Sequence, residues 1–179
     1  MSRQTYLLQT RRLGMRRYKP DDVIALRAVF ADPIAAKFYP EMVTTPALVR
    51  WINWNLQNYE EYGFGLWALE LLETGVFIGD AGITYQTPEG ERILEVGWHV
   101  HPEFRSLGYA TEAAQTCMTF GFERLQAGAL SSIVDPLNTA SIKVATRVHE
   151  GWRKCAGKSG PMLLFSTTAV EFAARSALP

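Results

Sequence analysis

The sequence has 179 residues and a mass of 20.1 kDa, about one domain by length and enough chain to bury a sizeable core. With 47% hydrophobic and 20% charged residues, the composition excludes intrinsic disorder and low complexity. Lys plus Arg and Asp plus Glu each number 18, a formal net charge of +0, which argues against a general nucleic-acid or polyanion binder and leaves a local basic pocket open.

No Ser/Gly/Pro-rich linker, repeat or block of like charge divides the sequence, so residues 1–179 are expected to form one domain. A short strand around Leu13 and Met15 gives way at Lys19-Pro20-Asp21-Asp22 to helical spacing at Val23, Leu26 and Phe30, ended by Asp32-Pro33. Thr45-Pro46 opens a second helix, with Leu48, Trp51, Ile52, Leu56 and Tyr59 on one face until Gly63 and Gly65 break the pattern. Leu66 to Leu72 and Val76 to Tyr85 read as strands joined through Thr74-Gly75. Pro88-Glu89-Gly90 turns the chain into a third strand, Ile93 to Val100, completing an antiparallel meander. The period then changes. Ala110, Ala113, Ala114, Cys117, Met118 and Gly121 mark a helix from about Gly108 to Leu125, before a buried strand at Leu130 to Val134, a helix after Asn138 and a strand at Met162 to Thr168. The elements predict a mixed α and β architecture.

Cys117 and Cys155 lack any Cys or His at metal-ligand spacing, so they read as two reduced thiols, with neither a disulfide framework nor a zinc site. No window approaches the roughly 20 apolar residues of a membrane span, and Met1-Ser2-Arg3-Gln4-Thr5 does not begin a signal peptide. A cytoplasmic location without membrane association is the expectation.

The segment that carries chemistry runs from Glu95 to Ala113: a strand, a tight loop and a helix start. Gly108 and Ala110 are small where a backbone would approach a ligand, and the first amides of a helix have no intrahelical partners. Such a turn can cradle a pyrophosphate, although an ordinary strand-to-helix connection shows the same Gly-x-Ala spacing. Along the strand, alternation puts Leu94, Val96, Trp98 and Val100 on one face and Glu95, Gly97, His99 and His101 on the other. His99 and His101 suggest a metal pair, but no third ligand stands at a supporting spacing, and no metal is expected.

Arg105-Ser106-Leu107-Gly108-Tyr109-Ala110, following Val100-His101-Pro102, resembles the Arg/Gln-x-x-Gly-x-Gly/Ala signature of the GNAT-superfamily N-acetyltransferases. The resemblance extends through Leu8 to Leu13, Gly65 to Glu70, Phe77-Ile78-Gly79, Glu95 to Trp98 and Asn138 to Val144, and is greatest for the RimJ/RimL-type branch, which acetylates protein N-terminal amines. It implies an α+β GNAT (acyl-CoA N-acyltransferase) fold, a mixed, mostly antiparallel central sheet flanked by helices. It also implies acetyl-CoA (coenzyme A) as cosubstrate and an amine acceptor, either a protein N-terminus or a small molecule such as an antibiotic. Val100, Arg105, Ser106, Leu107, Gly108, Tyr109, Ala110, Thr111, Asn138 and Ser141 are the implied coenzyme A contacts. A homodimer stays open.

Acyl transfer needs a neutral amine, whereas an α-amine has a pKa of about 8 and a lysine amine about 10, so a base is required. Glu95 matches the family carboxylate that draws the amine proton directly or through water; a cross-strand paired glutamate is the plain alternative. Asn138 reads as an N-cap that in the family also touches coenzyme A. Lys143 and Arg147 suit cofactor phosphates or a solvated helix face. Many relatives carry a tyrosine seven residues after this Asn to protonate the leaving thiolate, but Ala145 stands here. Arg147 to Trp152 also runs two residues longer than the family pattern, so no role is carried over beyond Val148. These departures motivate a rival reading, an acyl-CoA-binding protein without activity. Acceptor specificity is expected in a loop at Ala36 to Thr44 and in the last strands, with Phe38, Tyr39 and Trp98 as lining.

Overall fold

The computed structural model describes residues 5–157 and 160–177. Met1 to Gln4, part of the stretch bearing on a targeting signal, lie outside the described residues. The strands are β1 (Leu8–Gln9), β2 (Leu13–Arg16), β3 (Leu66–Leu71), β4 (Phe77–Gln86), β5 (Ile93–Val100), β6 (Ala129–Val134), β7 (Gly151–Gly157) and β8 (Gly160–Thr168). The α-helices are α1 (Val23–Phe30), α2 (Pro33–Phe38), α3 (Thr45–Tyr62), α4 (Tyr109–Glu123), α5 (Thr139–Val148) and α6 (Ala169–Ser176). The strands form one sheet in the order β1-β2-β3-β4-β5-β6-β8-β7, antiparallel except where β5 meets β6. This is the expected mixed, mostly antiparallel sheet.

The two faces of the sheet are covered by different helices. Ile83 of β4 and Leu130 of β6 press on Gly121 of α4, where a Cβ would lie 2.6 Å from Leu130 Cδ1; only a residue without a side chain lets helix and sheet approach so closely. On the other face, His99 of β5 meets Phe30 of α1 and Trp51 of α3. Leu48, Ile52 and Tyr59 of α3 and Leu26 of α1 are 2% exposed or less on this face, as is Trp67 of β3 on the other, where it packs against Phe120 of α4. Burial of such side chains, at about 25 cal/mol per Å² of apolar surface, is the main stabilisation of the layers.

The register fixes the face of each β5 residue. Val96 and Trp98 pair with Ile83 and Ala81, on the α4 side, while Glu95, Gly97 and His99 pair with Thr84, Gly82 and Asp80, on the side of α1 and α3. Trp98 is thus buried away from Glu95 and does not line an acceptor site beside it. The expected loop at Ala36 to Thr44 is also corrected, because α2 and a 3-10 turn (Pro40–Val43) fill it. Asp32 caps α2 by accepting the Ala35 N–H at 2.9 Å, and Pro33 sits where a helix tolerates it. Tyr39 then leaves helical conformation because Pro40 follows. Edge strand β7 lacks a periodic signal, since most of its residues are exposed on both faces.

Candidate active site

Strands β5 and β6 run parallel and pair at Glu95 and Ser131. At this seam Ser132 Oγ donates to the Val96 carbonyl at 2.6 Å, and the Ile133 N–H donates to Glu95 Oε1 at 3.2 Å. Glu95 therefore sits where the two strands meet, its carboxylate bound to the backbone of β6. Loss of hydration pushes its pKa up to about 7, against the opposing pull of the Ile133 N–H and of the positive charge that His99 carries when protonated. A carboxyl group with that pKa is a proton acceptor matched to neutral solution.

Beyond Val100 the chain makes a 3-10 turn at Pro102–Phe104 and reaches Gly108, which adopts a left-handed conformation (φ +84°) before α4. No side chain caps α4, so its first amides and positive dipole end are offered to a ligand. Ser106, also at positive φ, and Leu107 are exposed beside Gly108, and Tyr109, Ala110 and Thr111 form the first turn. The sequence reading missed the brace for this loop. Arg12 donates to the Leu107 carbonyl at 3.0 Å, pairs with Glu112 at 2.6 Å and lies 4.3 Å from the Tyr109 ring centroid. Thr10 Oγ1 donates to Glu112 at 2.5 Å. A Cβ on Gly108 would lie 3.3 Å from Arg12 Nη2, so a guanidinium and free amides converge on a spot without a side chain. That donor set fits the pyrophosphate of a coenzyme A ligand.

Arg105 is already engaged: its Nε donates to the Val100 carbonyl at 3.0 Å and its Nη1 pairs with Asp32 at 2.7 Å, tying the loop to the start of α2. Asn138 caps α5 by accepting the Ser141 N–H at 3.1 Å. Lys143 and Arg147 lie exposed on α5. His99 and His101, two apart in sequence, go different ways. His99 Nδ1 lies 2.6 Å from Asp80 Oδ1, whereas His101 Nδ1 accepts the Glu103 N–H at 3.3 Å.

Residues 12–149 match the Acetyltransferase (GNAT) domain family. The chain belongs to the GNAT acetyltransferase family. YkkB of Bacillus subtilis (strain 168) is 33% identical over 138 residues, 77% of this chain and 80% of that protein. An acetyltransferase from Agrobacterium tumefaciens str. C58 superposes with a TM-score of 0.79 at 29% identity, covering 93% of this chain and 96% of that one. RimL, a ribosomal L7/L12 α-N-protein acetyltransferase solved with coenzyme A, shares the fold at a TM-score of 0.69 and 17% identity, over 92% of this chain and 98% of its own.

As a GNAT acetyltransferase the chain is an acyltransferase, and the fold uses acetyl-CoA with an amine acceptor. Among the described residues no helix is long and apolar enough to cross a membrane. Ala145 is fully buried in α5. Cys117 is buried with its thiol pushed up to about 12 by loss of hydration, and burial raises Cys155 as well, so neither offers a thiolate to carry an acetyl group near neutral pH.

Proposed function

We propose that this enzyme transfers the acetyl group of acetyl-CoA directly to a primary amine, most fittingly the N-terminal α-amine of a protein or peptide, as in the RimJ/RimL-type branch. Glu95, or a water it orders, removes the amine proton. The observation that carries the reading is the Glu95 carboxyl at the β5–β6 seam, poised near neutrality on the strand that leads into the Gly108 loop. The raised thiol pKa values argue for direct attack over an acetyl-cysteine intermediate.

The pyrophosphate contacts are assigned to the amides of Gly108, Tyr109, Ala110 and Thr111, with Ser106, Leu107 and Arg12 around them. Arg105 holds the loop to α2, and the backbone near Val100 meets the pantetheine arm. Asn138 and Ser141 flank the thiol end from α5. With no tyrosine at Ala145, water or Ser141 returns a proton to the thiolate, a tolerable leaving group because thiols have a pKa of about 8.5. A small-molecule amine is the second acceptor class, favoured by the aromatic wall of Tyr39 and Trp51 around His99 on the Glu95 face. The proposed setting is the cytoplasm, with residues 1–179 acting as one domain.

Calorimetry with acetyl-CoA, followed by thiol release on a panel of free-N-terminus peptides and small amines, tests the reading. Binding and release on a peptide support the α-amine class, and release on small amines alone moves the enzyme to the second class. Binding without release on any amine overturns the transfer reading.

A further inference from the structure

Asp80 and His99 are directly opposite each other on β4 and β5. Gly79 makes this close pairing feasible: it holds a left-handed φ of +146°, and a Cβ there would lie 2.0 Å from the His99 carbonyl oxygen. Asp80 is fully buried. Its Oδ2 accepts the Tyr18 hydroxyl at 2.5 Å and the Trp51 indole N–H at 3.0 Å, and its Oδ1 lies 2.6 Å from His99 Nδ1. With donors at its other oxygen, the carboxylate acts as acceptor throughout, which places the hydrogen of the short contact on Nδ1 and the imidazole lone pair on Nε2. The ring is fixed by Phe30, Tyr39 and Trp51, with centroids at 5.0, 4.8 and 5.6 Å. Among the described residues, no hydrogen-bond partner meets Nε2.

Glu95 lies on the same face of β5, four residues earlier, with Gly97 between. Strand geometry separates the two Cα atoms by about 13 Å. β5 itself puts no side chain between them, because Gly97 stands there, with Leu66 Cδ2 of β3 lying 3.5 Å from where a Cβ would be.

An ammonium acceptor must lose two protons. One leaves before the nitrogen attacks, and the second leaves after the C–N bond forms; as the C–S bond breaks, one proton ends on the coenzyme A sulfur and the other in solvent. We propose that His99, held by Asp80, is a second catalytic proton acceptor, taking at Nε2 one of these protons while Glu95 takes the other. This role rests on the transfer reading above. The groups facing His99 are Tyr39 after α2, Trp51 from α3, Phe30 from α1, Asp80 from β4 with Tyr18 behind it, and Glu95 on its own strand; Tyr39 in turn lies in the field of Glu41 and Asp135. Burial first, and the Asp80 charge next for Tyr18 and the Glu95 charge for Tyr39, push both phenols above their ordinary range. That leaves Glu95 and the His99–Asp80 pair as the proton-handling groups of this face.

The test uses wild type, His99→Gln and His99→Ala with acetyl-CoA and whichever amine the wild type turns over. His99→Gln, which keeps the bulk and can still donate to Asp80, should lower kcat on the order of 10²-fold and remove one inflection of the pH–rate profile, with acetyl-CoA affinity unchanged. Imidazole added to His99→Ala should restore turnover in proportion to its free base, while pyrazole, of the same shape but weakly basic, should not. Nitrogen NMR of the wild type without acetyl-CoA should show His99 as the Nδ1–H tautomer. An unchanged pH profile in His99→Gln, equal rescue by pyrazole, or an Nε2–H tautomer overturns this role alone. A wild type that released no thiol would overturn the transfer reading and this role with it.

Discussion

At the residue scale, the position of Glu95 sets two measurable consequences of opposite sense. Its pKa in the fold is about 7 against an ordinary 4.5, because the carboxylate loses hydration more than the Ile133 N–H restores. Wild-type turnover should therefore rise with pH through about 7. In Glu95→Gln that inflection should vanish and kcat should fall on the order of 10²-fold with acetyl-CoA affinity kept, as steady-state profiles and calorimetry would show. The same shift weakens the fold. A carboxyl whose folded pKa is raised favours the protonated state, so its destabilising effect grows between pH 4.5 and 7 and is complete above 7. Urea titrations should find Glu95→Gln more stable than wild type at pH 8 by on the order of 2 kcal/mol, after allowance for partial exposure, and equal to it below pH 4.5. The face that Glu95 shares with Gly97 and His99 was legible in the sequence from alternation, whereas its role as base came only from the family resemblance. Asp80 was not, since its partner is 19 residues away on another strand and only the register brings them together.

At the element scale, the helix starts do double duty. Asn138 accepts the Ser141 N–H and so caps α5. Asn138→Ala should lose about 1 kcal/mol of stability and, through the proposed contact, weaken acetyl-CoA binding. Asn138→Asp separates the two effects: an aspartate caps as well as asparagine, so the thermal midpoint should return, but its charge should still oppose the anionic cofactor. Recovery of both midpoint and affinity would assign Asn138 to capping alone. For α4, Arg12→Gln removes the brace to Leu107 and Glu112 and should raise the acetyl-CoA Kd several-fold with an unchanged Kd for a neutral acceptor mimic. The helices and strands with strong periodicity, α3, α4 and β3 to β5, follow from their spacing. The segment α2 did not, because six residues between two prolines leave no room for a helical repeat, and β7 did not, because an exposed edge strand has no buried face to impose alternation.

At the scale of the whole molecule, the β5–β6 seam joins two antiparallel halves of the sheet, and its closure rests on a buried histidine. His149, at the end of α5, is 5% exposed; its Nε2 lies 2.9 Å from Ser132 Oγ of β6 and its Nδ1 3.2 Å from Thr167 Oγ1 of β8. Because Ser132 also donates to Val96 of β5, one imidazole links three strands beside Glu95. Nothing in the sequence near Arg147 to Trp152 announces this, since Ser132 and Thr167 become its neighbours only through the strand order. Burial lowers the His149 pKa from 6.5 to about 4, so the fold holds it neutral. The unfolded chain then takes up a proton first as pH falls, and the stability His149 supports, complete above pH 6.5, is lost between 6.5 and 4, by on the order of 3 kcal/mol. Glu95 runs the other way over nearly the same interval, gaining stability as pH falls from 7 to 4.5. In wild type the two largely offset, so urea midpoints should change little between pH 7 and 5. Glu95→Gln should uncover the His149 loss as a steep decline on acidification. His149→Asn, weaker at pH 7 for lack of the imidazole bridge, should instead become more stable toward pH 5. Parallel pH dependence in wild type and both variants would show that these two groups do not govern the seam.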